Sequence, residues 1–184
     1  MKRFPALICL LAALSLIFSA CILPPGGSFT RLMDRFDGTL TVGDFERVLG
    51  RHEAFDDIYL RELDHTGEAT YMFRTKPAEY LSCTVSEGDL RTGFGVPKVT
   101  FDHVAGTDPS SERVTSVMVH YRSDPSEIAE ILTHLRSLYG EAEEQGSTFY
   151  FRSDDSGVRV TAQTSTVSED GEQGILLTWR TDAE

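Results

Sequence analysis

Apolar residues recur along this 184-residue chain with three spacings, and each spacing predicts a different element. From Ala6 to Phe18 they run on, broken only by Ser15. Phe29, Leu32, Met33 and Phe36 then fall at i, i+3, i+4 and i+7, one face of a short helix that Gly38 is placed to stop. A second short helix is predicted from Val42 to Leu49, with Thr41 as N-cap and Gly50 just past its end, so that the two form a helical hairpin. The longest periodic stretch is "DPSEIAEILTHLRSLYG". There Asp124 caps, Pro125 takes the first helical position, Glu127 completes a capping box and Gly140 ends a helix over about 125–139. Its apolar stripe is Ile128, Ile131, Leu132, Leu135 and Leu138.

Most of the remainder alternates with period two. Strands are predicted at "ATYMFRT" (69–75), "AEYLSCTVS" (78–86), "PKVTFDHV" (97–104), "RVTSVMVHYR" (113–122), "STFYFRS" (147–153), "GVRVTAQT" (157–164) and "GILLTWR" (174–180). Asp154-Asp155-Ser156-Gly157 closes a hairpin between two of them. Inward candidates include Val99, Phe101, Val117, Tyr121, Phe151 and Trp179. The expected fold is α+β: an antiparallel sheet of about six to seven strands, with the long helix and the N-terminal helical hairpin on one face. The expected organisation is a signal peptide over 1–20, a lipid-attachment cysteine and Pro/Gly tether over 21–28, and a single α+β domain over 29–184.

The first apolar run decides where the chain goes. Lys2 and Arg3 precede it, and its 13 residues suit a signal-peptide core rather than the ~20 residues of a bilayer span. Ordinary signal peptidase prefers small residues at −3 and −1, so a cut after Ala20 would set bulky Phe18 in the wrong place. Phe18-Ser19-Ala20-Cys21 resembles the bacterial lipobox, with Phe18 where that motif usually has Leu. The resemblance implies that Cys21 is the lipid-attachment residue and becomes the acylated mature N-terminus. It implies a cell-envelope location, and Ile22 after the cysteine, where Asp would mark inner-membrane retention, favours the outer membrane or cell surface. An uncleaved anchor over residues 4–23 and soluble secretion are the alternatives. Pro24-Pro25-Gly26-Gly27-Ser28 reads as a short tether.

Charge narrows the partners. The chain has 17 basic and 29 acidic residues; beyond Lys2 and Arg3 it carries a net −14. That excess argues against nucleic acid and against a polybasic membrane contact, which leaves the anchor as the route to the membrane. No asparagine occurs, so no N-glycosylation acceptor exists. With Cys21 acylated, Cys83 lacks a disulfide partner in the exported part and is expected as a small buried hydrophobe.

Residues 29–50, "FTRLMDRFDGTLTVGDFERVLG", followed later by "YMFR", resemble the helix-hairpin-then-sheet unit of the small lipoproteins of the outer-membrane β-barrel assembly machinery and of the related β-lactamase inhibitor protein fold. Those families usually carry a Gly-Met-Thr turn before the second helix, where this chain has Leu40-Thr41-Val42-Gly43. Helix, glycine stop and aromatic strand recur here, "VLG" before "YMFR" and "LYG" before "FYFR", with very different gaps.

Chemical motifs are sparse. His52 in "RHEAFDD" lacks the second histidine of a zincin helix and reads as part of a solvated acidic loop, as does His65 with Glu62 and Asp64; His134 has no partner at i±4, and "GDLRTGFG" has no P-loop spacing and reads as a turn-rich connection. No catalytic, cofactor or metal site is predicted. Arg74, Arg122, Arg152, Arg159 and Arg180 fall on the opposite phase to the core residues of their strands, which makes the outer face of the sheet a candidate surface for an anionic partner. The expected function is a non-enzymatic interaction or structural module of the envelope, with another envelope protein as partner. The alternatives are a small-ligand-binding lipoprotein with a cavity between sheet and helices and, behind it, an enzyme.

Overall fold

A computed structural model describes residues 28–49, 68–72, 77–104, 106–153, 156–166 and 173–181. The leader, Cys21, the tether up to Gly27, Gly50, His52, His65, Phe73, Arg74 and residues 154–155 lie outside the described residues, and Ser28, expected in the tether, opens the first helix. Helices are α1 (Ser28–Met33), α2 (Val42–Leu49), α3 (Glu87–Thr92) and α4 (Pro125–Tyr139). Strands are β1 (Glu68–Met72), β2 (Lys98–Asp102), β3 (Val114–Arg122), β4 (Glu143–Gln145), β5 (Thr148–Arg152), β6 (Val158–Thr166) and β7 (Gln173–Thr181). The strands form one sheet in the order β1-β2-β3-β7-β6-β5-β4, every described pair antiparallel. The fold is α+β, as the periodicities predict.

One face of the sheet is the core. Across it Val99, Val117, Trp179, Val160 and Phe151 are directly paired on β2, β3, β7, β6 and β5, and each is 1% exposed or less. Helices α1, α2 and α4 lie over this face. Ile128, Ile131, Leu132 and Leu135 of α4, and Phe29, Met33, Phe36, Val42, Phe45 and Leu49 of the hairpin, join the sheet residues in a single buried cluster. In the last turn of α4 the partly buried Tyr139 packs against that cluster, and Leu138, expected in the stripe, is exposed.

The hairpin is pinned to the sheet at both of its turns. Gly38, with φ +77, ends the α1 turn, and its carbonyl accepts from Arg113 Nε and Nη2 at 3.0 and 2.8 Å. At the start of α2 the Thr41 N–H and hydroxyl both donate to the Asp44 carboxylate, which closes the N-terminus. Helix α4 has the capping box read from its sequence: Asp124 accepts from the Ser126 and Glu127 N–H groups, and Glu127 accepts from the Asp124 N–H.

Four segments differ from expectation. Residues 78–86 form a turn with an isolated Tyr80–Cys83 bridge and Leu81 at φ +52. The Leu81 N–H donates to the buried hydroxyl of Thr30 and Tyr121 donates to the Ala78 carbonyl, so contacts with α1 and β3 take the backbone groups a strand partner would need. "EGDLRT" is a helix rather than a connection, closed by a Ser86/Asp89 capping box and a left-handed Gly93. Helix α1 stops at Met33, and Phe36 reaches the core from the turn that follows. "EEQ" (143–145) forms a short exposed strand, so β4 intervenes between α4 and the aromatic β5.

Candidate partner-binding face

Among the described residues the second face of the sheet is open except at its β3 corner, where Asp89 of α3 and Phe94 meet Arg122 and His120. Its positions follow from the pairing: with Trp179, Val160 and Phe151 inward, Arg180, Arg159 and Arg152 point the other way, and all three are exposed. Register does what phase alone cannot. Arg180 is directly opposite Arg159, and Arg159 is directly opposite Arg152. The three guanidinium stems therefore start ~5 Å apart across β7, β6 and β5. The same line continues through Ser116, Thr100 and Thr70 on β3, β2 and β1, where the threonine hydroxyls meet at 3.3 Å.

The adjacent line reads Lys98, Met118, Thr178, Thr161, Tyr150 and Glu143, and the next His120, Leu176, Gln163 and Thr148. Met118, Thr178, Thr161 and Leu176 are half-buried and Tyr150 is 41% exposed. No outward position of β3, β7, β6 or β5 among the described residues is Asp or Glu, in a chain with 29 of them. The described carboxylates lie on the helices, the loops, the ends of β1 and β2 and the edge strand β4.

Two features bound this face. At the β4 side, where β4 stops short of Phe151 and Arg152, an open groove of about 560 Å³ is lined by Tyr139, Glu141, Glu143, Tyr150, Arg152 and Arg159 among others. Burial, then the nearby Asp34 charge, push the Tyr139 hydroxyl up to about 12, so it acts there as a neutral phenol. At the β3 side, Arg122 is drawn out of the arginine set: its Nε pairs with Asp89 at 2.9 Å and its guanidinium lies 4.7 Å from the Phe94 ring centroid. The Phe94 ring centroid is 4.6 Å from that of His120. Burial and then the Arg122 charge lower the pKa of His120. Of the five arginines expected to gather, three form the row, Arg122 does not, and Arg74 lies outside the described residues.

Other polar clusters face inward and serve the fold. Glu112 is buried and accepts from the Val104 N–H, the Thr107 hydroxyl and His103 Nδ1. Burial works against its ionisation, yet those three hydrogen bonds hold its carboxyl below the usual range. His134 Nε2 donates to Asp34 Oδ1 at 2.9 Å and ties α4 to the end of α1 across 100 residues, a partner that helical spacing could not reveal. Tyr80 also points its hydroxyl at Asp34, and its pKa is raised by burial and then by that charge. Cys83 is 1% exposed with Sγ 3.3 Å from Ser123 Oγ, and burial pushes its thiol up to about 11. The buried reading of Cys83 holds.

Among the described residues no group of three His, Cys, Asp or Glu is placed to hold a metal ion, and no helix is long and apolar enough to cross a membrane. Comparison with protein-family models, curated proteins and solved structures finds no match for the chain.

Proposed function

We propose that this chain is a lipid-anchored, non-enzymatic protein of the cell envelope that docks a partner protein on the open face of its sheet. The observation that carries the docking is the composition of that face. The described outward positions of β3, β7, β6 and β5 carry no carboxylate, and they present Arg, Tyr, Met and Thr, of which Arg, Tyr and Met are enriched in protein interfaces. Attachment through Cys21 and an outer-membrane or surface location rest on the lipobox resemblance and on Ile22. Two or three acyl chains supply enough buried methylene for stable anchoring, at ~0.8 kcal/mol each.

Two measurements test this. Labelled palmitate is expected to enter the wild type and not Cys21→Ala; equal labelling of both would remove the anchor from the proposal. A photo-crosslinking amino acid placed at Thr178 or Thr161 in intact cells is expected to capture a discrete protein partner, while the same group at Thr133, exposed on α4, captures none. Equal capture from both sides, or none from the sheet, would refute docking on the open face.

The groove beside β4 favours a second reading, a small ligand held between Tyr139, Tyr150 and Arg152. It lies at the sheet edge and not between sheet and helices, where Ile131, Leu135 and Trp179 are fully buried.

A further inference from the structure

The groove beside β4 has a lining specific enough to name a ligand class. We infer that it binds an uncharged oligosaccharide, one sugar ring stacked on Tyr150 and its hydroxyls bonded to Tyr139, Gln145 and Thr161; this rests on the groove being a small-ligand site and is independent of docking on the sheet face. Its volume of about 560 Å³ falls within the roughly 300–1,000 Å³ of ligand clefts. The fold makes it by ending a strand early. Strand β4 pairs with β5 only from Glu143↔Tyr150 to Gln145↔Thr148, which leaves Phe151 and Arg152 with no strand beyond them. Arg136 of α4 lies 3.1 Å from Glu144 and 3.7 Å from Glu141, and so ties that rim to the helix. Beneath lie Phe151 and Val160, each 1% exposed or less.

The charges of this lining cancel. It has two acids, Glu141 and Glu143, and two bases, Arg152 and Arg159. Glu141 is near Arg136, Glu143 accepts from Gln145 Nε2 at 2.8 Å, and both arginines are already engaged within the chain. An anion in the groove meets the two carboxylates, a cation meets the two guanidinium groups, and neither finds a net field to hold it. A wholly apolar ligand is disfavoured for the opposite reason, since it would strip water from phenol, amide and hydroxyl groups and satisfy none of them. What remains on offer is a set of neutral groups that both donate and accept, the Tyr139 phenol, the Gln145 amide and the Thr161 hydroxyl, beside the 41% exposed ring of Tyr150. A sugar ring matches both parts: hydroxyls around its rim bond to the first, and the C–H groups of its face pack on the second. The groove is open and not a closed cavity, so a chain of several rings can lie across it.

The test is isothermal titration of the full chain, in a polyoxyethylene detergent that carries no sugar, with chitotetraose, cellotetraose, maltotetraose and mannotetraose. Tetragalacturonate, tetralysine and indole stand for an anion, a cation and an apolar ligand. At least one neutral tetrasaccharide is expected to bind at ~1 mM or tighter, and equally at low and high salt. Tyr150→Ala weakens it about fivefold to tenfold by removing the ring face, while Tyr150→Phe retains it. Tyr139→Phe weakens it about threefold through the loss of one hydrogen bond, and Thr133→Ala, exposed on α4, leaves it unchanged, with Trp179 fluorescence confirming the fold in each. No binding by any of the tetrasaccharides, or binding that neither Tyr150→Ala nor Tyr139→Phe weakens, overturns the inference. Tighter binding of tetragalacturonate, tetralysine or indole that Tyr150→Ala weakens keeps the groove as a ligand site and removes the saccharide, whereas no binding by any probe removes both.

Discussion

Gly43 and Gly88 each occupy the second position of a short helix, α2 and α3, and neither has a positive φ. Locally they are equivalent, and replacing glycine by alanine in a helix is worth up to about 1 kcal/mol, less in the first turn. Their surroundings reverse the sign. A Cβ at Gly88 would meet only Ser86 Oγ at 3.7 Å, an ordinary van der Waals contact. A Cβ at Gly43 would stand 2.8 Å from the Ser110 carbonyl oxygen, with Ser110 C and Cβ each at 3.6 Å.

That oxygen cannot yield cheaply. It belongs to the single 3₁₀ turn Pro109–Ser111, which is closed by the Asp108 side chain on the Ser110 N–H at 3.0 Å and by the Glu112 N–H on the Pro109 carbonyl at 3.1 Å. The Val42 N–H donates to the Glu112 carbonyl at 3.0 Å, so moving α2 off the turn breaks the bond that holds the two together. Overpacking of this kind costs about 1–3 kcal/mol, more than the helix gains. Gly88→Ala is therefore expected to stabilise by roughly 0.5 kcal/mol and Gly43→Ala to destabilise by about 1–2 kcal/mol, a fall of several degrees in Tm. Urea unfolding followed by Trp179 fluorescence measures both, since this is the only tryptophan and it is fully buried. A Gly43→Ala chain as stable as wild type, or more so, would refute the close approach of α2 to the turn.

Three further outcomes are expected. Glu112→Gln disturbs three hydrogen bonds at a buried site and costs about 1–3 kcal/mol. Because the folded pKa of Glu112 is lowered, its contribution is complete above its ordinary value of 4.5 and is lost as pH falls through the folded value; stability measured against pH should decline less steeply on the acid side in the variant. The Cys83 thiol, with a pKa of about 11 and 1% exposure, should react with a thiol reagent at neutral pH far more slowly when folded than in urea, and prompt modification of the native chain would contradict its burial. A double-mutant cycle on Arg159→Thr and Arg180→Thr should return a repulsive coupling of about 0.2–1 kcal/mol that shrinks with salt, whereas an attractive coupling would mean the two guanidinium groups share a counter-charge.

The elements most legible in the sequence are those whose local signals agree. Helix α4 has cap, proline, stripe and glycine stop in order, and its observed bounds are the expected ones. Val42–Leu49 is likewise found as read. Helix α3 went unseen because it buries no residue: its Ser86 and Asp89 capping box was visible, but no apolar stripe followed to give it weight. Residues 78–86 show the reverse error. Cys83 is buried as an alternating pattern asks, but Tyr80, which that pattern puts on the other side, is buried too, and both sit in a turn whose partners, Thr30 and Tyr121, lie 51 and 43 residues away from Leu81 and Ala78. Strand β4 has no apolar residue to signal it and exists because β5 offers it an edge. On the open face, phase was readable and register was not. A strand's own sequence says which way Arg159 points, but its alignment with Arg152 and Arg180 is a property of two strand pairs. Arg122 had the right phase and was taken by Asp89 from an unforeseen helix.

That distinction bears on the layout of the outer face. The neighbouring line on the same strands carries Thr178, Thr161 and Tyr150, residues that suit a pleated surface and place no like charges opposite one another. The arginine line backs on to the fully buried Trp179, Val160 and Phe151 of the core face. The same line turns from cations on β5, β6 and β7 to hydroxyls on β3, β2 and β1. The face is therefore asymmetric across the strands, with cationic positions on one half and hydroxyls on the other, so the docking proposed above would have one direction.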